Sequence, residues 1–273
     1  MKRLLPLLIL TFCFQGLALA GSLSLSGKSV TGRTNSSGVT GITSAANGAT
    51  FYKSDNLVPN SSESICSADG NCVNFTSTNR SVTGTSNGGK IRFFQNSSQV
   101  ALQVEPSYYG WQYQSFGVWA NTVGSNTTAS AGSFGSYTVG SSIPKTGSAT
   151  YTGLLAGLIN NGGPRYFVAA TMSAGVNFST RQINFLTTNS LISTSLNGTY
   201  TSNNALNLHG TLSYAANTNS FSGTVTNTGG SGIPVLSGTA SGQFYGPAAQ
   251  EIGGVVAMRS GNVGFIGGFG GKK

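Results

Sequence analysis

The 273-residue sequence has a single histidine, His209, and five carboxylates: Asp55, Glu63, Asp69, Glu105 and Glu251. That scarcity removes most catalytic chemistry. Any Ser-His-Asp or Cys-His arrangement would have to use His209. The residue alternates with Asn207 and Thr211 on the wet face of a strand pattern, and no base or orienting partner accompanies it. No motif sets two carboxylates across a cleft for glycoside hydrolysis. Mononuclear zinc or calcium would lack ligands. Charged residues make up only 7% of the chain, with a formal net charge of +9. Beyond residue 20 the basic residues are scattered singly, and only Lys272-Lys273 are adjacent. A groove lined by several cations and aromatics is therefore missing, which argues against nucleic acid; the excess charge reads as solubility. Amphipathic helices of normal length are absent too. The apolar run Leu4–Phe14 falls short of the about 20 residues a spanning helix needs.

What is present is a β pattern. Forty residues are glycine and 38% are hydrophobic. The apolar residues alternate, and turn dipeptides recur (Asn87-Gly88, Asn161-Gly162, Asn197-Gly198), as a chain of hairpins requires. The first 20 residues have the form of a secretory signal: Lys2 and Arg3, the apolar core, then Ala18-Leu19-Ala20. Cys13 raises the alternative of a lipid anchor, but Phe12 stands where a lipoprotein signal places a small residue. Cleavage after Ala20 and release are the expectation. Cys66 and Cys72 then remain as an even pair across an Asp69-Gly70 turn. In an exported chain they read as a disulfide, whose rigid exposed loop could contact a partner.

Residues 21–145 form one expected domain and 146–273 another, with the boundary near Lys145. Residues 21–50 read as an edge strand followed by an irregular segment. Strand candidates follow at Ala49–Tyr52, Cys72–Thr76, Lys90–Phe94, Val100–Val104 and Phe116–Trp119. The Ser/Gly/Thr-rich stretch from Thr122 to Ser142 reads as the run-up to the boundary. Beyond it lies an antiparallel meander, with candidates at Thr150–Leu158, Tyr166–Ala174, Gln182–Thr187, Leu191–Thr201 and Ala205–Tyr214. The last are Phe221–Thr226, Leu236–Tyr245, Ile252–Met258 and Gly264–Gly270. Closing such strands into a barrel removes exposed edges.

The C-terminal stretch carries the most specific signal. A strand ends abruptly at Phe244-Tyr245-Gly246-Pro247, followed by Glu251, Gly253 and Gly254 and a last glycine-punctuated strand. This resembles the closing hairpin of the C-terminal barrel of transferrin-binding-protein-B-like surface proteins, with its FYGP-A-E-x-GG signature. Phe116–Trp119, Ile143–Gly153 and Phe221–Val225 extend the likeness over about residues 113–273. The resemblance implies an all-β fold: a handle-like N-terminal domain and an eight-stranded antiparallel barrel. It implies a non-enzymatic protein of a Gram-negative bacterium, exported through a translocon of the surface-lipoprotein-assembly type. The partner it implies is haem or a host haem- or iron-carrying protein; the alternative is an adhesin or another host-factor binder without a small ligand. In the signature, Glu251 is expected to accept hydrogen bonds from turn amides and lock the barrel.

Candidate contact residues come from the aromatic segment Pro106–Tyr113. Tyr108, Tyr109, Trp111 and Tyr113 combine large area with a polar handle, as binding anchors do; the same residues could equally fill a core. Hemophilin-like relatives hold haem in the N-terminal domain. Here that domain has no histidine, so a haem site would fall to tyrosine as the axial donor.

Overall fold

The computed structural model describes residues 23–53, 62–76, 81–84, 90–104, 110–161, 165–196, 198–230 and 232–273. Two antiparallel sheets account for nearly all of them. The first contains β1 (Leu23–Asn35), β2 (Gly38–Ile42), β3 (Ala46–Lys53), β4 (Ser62–Cys66) and β5 (Cys72–Thr76), then β6 (Ser81–Gly84), β7 (Lys90–Gln95), β8 (Gln99–Val104), β9 (Gln114–Val123) and β10 (Asn126–Gly135). Its order is β5-β4-β3-β1-β10-β9-β8-β7-β6, with β2 as a side flap on β1. The expected edge strand at the N-terminus is thus corrected: β1 sits in mid-sheet, between β3 and β10. The Ser/Gly/Thr stretch after Thr122 is corrected likewise, since most of it is β10, where Ser130, Ala131, Ser133 and Phe134 are fully buried. Small side chains conceal this strand in the sequence because it is pressed between two layers.

The second sheet is built from β11 (Ser148–Asn161), β12 (Arg165–Asn177), β13 (Gln182–Ser193), β14 (Thr201–Ser202), β15 (Leu208–Tyr214), β16 (Ser220–Asn227), β17 (Ser237–Tyr245), β18 (Glu251–Ser260) and β19 (Val263–Lys272). Neighbours pair in sequence, β11 pairs with β19, and β12 pairs with β13, so eight long strands close into a barrel; β14 is a two-residue addition to β13. The separate strand expected at Leu191–Thr201 does not exist. Its first residues continue β13 past Asn189, whose φ of 54° accompanies a slip in the β12–β13 register, and the chain then turns. The lumen is filled with side chains, as a barrel of this size requires. Tyr151, Leu155, Phe185, Phe221, Phe244, Val256 and Phe269 are all fully or almost fully buried there.

Two further cores frame the first sheet. One lies under a curl of that sheet, where Phe51, Ile65, Val73, Trp119 and Phe134 pack together. The other joins the sheets: Val30, Val104, Phe116, Val118 and Ala131 meet Ala156, Leu158, Phe167, Val255 and Ile266 from the outside of the barrel. β9, β10 and β1 therefore lie on β18 and β19. The barrel wall is apolar on both faces along this line, which is why Leu154-Leu155-Ala156 and Leu158-Ile159 read as continuous rather than alternating.

Candidate functional site

The C-terminal signature does its bonding outside the barrel. Glu251 opens β18 and is buried; Oε1 accepts from the Gln112 amide at 2.6 Å and Oε2 from the Tyr113 amide at 3.0 Å. These amides belong to the chain between β8 and β9, not to the turn beside Glu251 as the sequence led one to expect. Burial pushes the Glu251 carboxyl above its usual range, while those amides, that of Gln114, and Lys272 pull the other way. Tyr245 is completely buried and its hydroxyl shares a 2.7 Å hydrogen bond with Ser133 Oγ of β10. Burial also raises its pKa. Gly246, at φ +84°, donates to Ser136 O at 2.9 Å and accepts from Thr138 Oγ1 at 2.6 Å. A β-carbon at Gly253 or Gly270 would collide with the Gln114 side chain, whose Nε2 donates to Gly271 O at 3.1 Å. Gly254 lies as closely over β17, and Pro247 is exposed. Phe244 faces inward, against the rings of Tyr151, Tyr214 and Phe221. The signature is a joint between sheets, and Gln114, Ser133 and Thr138 are its unforeseen partners. Nothing in their Ser/Gly-rich surroundings marks them in the sequence.

The aromatic candidates divide. Tyr108 and Tyr109 lie outside the described residues. Trp111 is 2% exposed, with its ring 5.9 Å from that of Phe116, which is the core-filling placement the sequence left open beside a contact role. Tyr113 is half-buried; its amide serves Glu251 and its ring edge crowds Gly246.

Cys66 and Cys72 are bonded to each other. Their loop is held rigid because it lies down on the sheet, while Ala68, Asp69 and Gly70 at its tip are exposed, as expected. Asp69 accepts from Thr31 Oγ1 at 2.9 Å and pairs with Arg33 at 2.8 Å. Asn71 Nδ2 donates to Ser130 Oγ at 2.8 Å, and Trp119 Nε1 donates to Asn71 O at 2.7 Å. Partial burial opposes ionisation of Asp69, but hydrogen bonds from Ser67, Thr31 and Arg33, together with the Arg33 charge, hold its pKa below the usual value. His209 is exposed and shares a 3.0 Å hydrogen bond with Thr226 Oγ1. Among the described residues no cluster of three or more His, Cys, Asp or Glu could hold a metal.

Open space lies between the sheets. A cleft of about 530 Å³ opens where the β1–β2, β9–β10 and β11–β12 tips converge; Thr122, Thr127, Asn160 and Arg165 line it above Leu158 and Ile266. A second, more apolar groove of about 560 Å³ lies between β7–β9 and β11–β13, lined by Ile91, Phe93, Leu102, Leu154, Phe167 and Tyr200. Both fall in the size range of small-ligand sites. Sequence reasoning missed them because each wall comes from a different half of the chain.

These features define a class: a two-sheet β protein in which an eight-stranded barrel carries a second, curled sheet on its wall. Residues 143–273 match the family model described as the C-lobe and N-lobe β-barrels of Tf-binding protein B. The barrel of this chain belongs to that family. Among solved structures, a tryptophan-to-alanine mutant of transferrin binding protein B from Haemophilus parasuis is 14% identical, with a TM-score of 0.47 over 84% of this chain and 54% of that one. The isotype 1 protein from serogroup B Neisseria meningitidis is 16% identical, with a TM-score of 0.45 over 89% of this chain and 43% of that one. A surface lipoprotein is 15% identical, with a TM-score of 0.48 over 90% and 98%. The chain thus spans about half the length of the first two. No curated protein matches it.

Proposed function

We propose that this chain is a non-enzymatic binding protein of a Gram-negative cell surface or its surroundings, and that its target is a host iron-carrying protein of the transferrin kind. The barrel's family membership carries this reading. The scarcity of acid–base and metal-ligating residues agrees with recognition rather than catalysis. In this reading residues 146–273 are the support and residues 21–145 the recognising half, because that half carries four of the five carboxylates, the cysteine pair and both tryptophans. Residues 1–20 are the export leader, removed after Ala20 in preference to lipidation at Cys13, and a translocon of the surface-lipoprotein-assembly type delivers the product. Capture of haem itself is the finer alternative, with tyrosine as the donor available to it. Tyr113 and the segment holding Tyr108 and Tyr109 remain the contact residues proposed.

Surface plasmon resonance of the immobilised exported chain against iron-loaded and iron-free transferrin, haemoglobin and haemin tests this. Saturable binding of one iron carrier is expected. Flat responses to all four would sink the proposal and favour an adhesive surface protein.

A further inference from the structure

Each of the two spaces between the sheets is bordered on the barrel wall by one member of a single cross-strand pair, Leu158 for the polar cleft and Phe167 for the apolar groove. Leu158 of β11 stands opposite Phe167 of β12, and both are buried on the outer barrel wall. Two residues towards the tip, Asn160 stands opposite Arg165, in the polar cleft. Two residues the other way, Ala156 stands opposite Ala169, in the apolar groove. A single row thus runs from a cation, over an aromatic ring, into a trough of hydrocarbon.

Arg165 is unusual among the cations here. Its guanidinium lies 5.8 Å from the Phe167 ring centre, and burial depresses its pKa. Asp69 is paired with Arg33, and Glu251 is taken by two amides. Among the described residues, then, no carboxylate neutralises Arg165. A half-desolvated guanidinium without a counter-charge is a receptor for an external anion. Thr122 and Thr127, whose hydroxyls share a 3.0 Å hydrogen bond, line the same cleft. Among the described residues, the groove beyond supplies no second cation for a second anionic group, and neither lining contains His, Cys or Met to ligate a metal or haem iron. Its one polar ring, Tyr200, turns its hydroxyl to Leu196 O.

We infer that the inter-sheet space binds a long-chain fatty acid, with the carboxylate on Arg165 in the polar cleft and the hydrocarbon chain past Leu158 and Phe167 into the apolar groove. Charge complementarity fixes the head, and the continuity of the row fixes the direction of the tail. This goes beyond capture of an iron carrier and does not depend on it.

Calorimetric titration of the purified exported chain with palmitate and with methyl palmitate provides the test. Palmitate is expected to bind saturably at one per chain, and the methyl ester about tenfold more weakly, as a charged hydrogen-bonding head is worth that much. Arg165→Gln should weaken palmitate about tenfold and leave the ester unchanged. Ala169→Trp should fill the groove and abolish both; if it fails to fold by circular dichroism, the milder Ala169→Leu is scored instead. Absence of saturable palmitate binding overturns the inference, as does full affinity in Arg165→Gln or in a folded groove-filling variant. Transferrin binding measured on the same preparations separates either failure from that of the functional reading.

Discussion

The two sheets solve the same problem, hiding the faces and edges of β strands, with opposite means. The barrel has no edges among its eight long strands and fills its lumen with large rings; Phe244 alone touches Tyr151, Phe178, Tyr214 and Phe221. The first sheet is open, ending at β5 and β6, and its mid-sheet strands are made of Ser, Gly, Ala and Thr. It holds its curl by fastenings: the disulfide, the Asp69–Arg33 pair and the Trp119–Asn71 bond. One half is stabilised by its filled lumen, the other by a smaller core supplemented by point contacts, and the joint built around Glu251 ties them together. A framework assembled this way can vary its open half while keeping the closed half intact.

The sharpest way to break the contrast is to hollow the barrel. Phe244→Ala should cost about 4 kcal/mol, a large buried ring leaving a cavity, and guanidinium unfolding should show both sheets destabilised together. A loss under 1 kcal/mol would mean that the lumen is not the stabilising core. Next comes the joint. Glu251→Ala leaves the Gln112 and Tyr113 amides without their acceptor and should cost about 3 kcal/mol. Hydrogen exchange should place the loosening at residues 110–114. Breaking the disulfide by Cys66→Ala with Cys72→Ala should cost about 2 kcal/mol, with new proteolytic sensitivity confined to β4 and β5; cleavage within the barrel would contradict the division. Smallest of all is His209→Ala, expected within about 0.5 kcal/mol of the parent by thermal melting, since the ring is exposed and makes one hydrogen bond to Thr226.

Acidity should separate the halves further. Glu251 has its folded pKa raised above 4.5, so its proton-linked stability is full below that value and is lost as pH rises through the raised one. Asp69 has its folded pKa lowered, so its contribution is present above its ordinary value, 3.8, and is lost as pH falls through the lowered one. The stability of the parent relative to Glu251→Gln should therefore shrink from pH 4 to neutrality. The stability of the parent relative to Asp69→Asn should shrink in the other direction, below pH 4. Parallel pH profiles for the two variants would refute the assignment.

Much of this was legible in the sequence where side chains are large. Leu208, Leu212 and Tyr214 alternate with exposed His209, Thr211 and Ser213, and that strand, like most of the barrel, follows from period two alone. The cysteine pair was equally plain. β1 and β10 were not, because the layers against them leave room only for residues that in isolation resemble a linker: Ser130, Ala131, Gly132 and Ser133 are all buried. The signature was visible as a pattern but not as a joint, since the partners of Glu251 lie far back in the chain. The inter-sheet spaces were hidden for the same reason, being properties of a surface that neither half contains.

The distance along the chain between the partners of the joint also bears on the order of assembly. Glu251 is 139 residues beyond Gln112, and Tyr245 is 112 beyond Ser133. Chains grow from the N-terminus, so strands β1 to β10 emerge before the acceptors that will hold them exist. Contacts this remote are slow to form, and until they form the apolar inner side of the first sheet has no cover. Strands β18 and β19, late in the chain, supply part of that cover. Without these two strands that surface stays open.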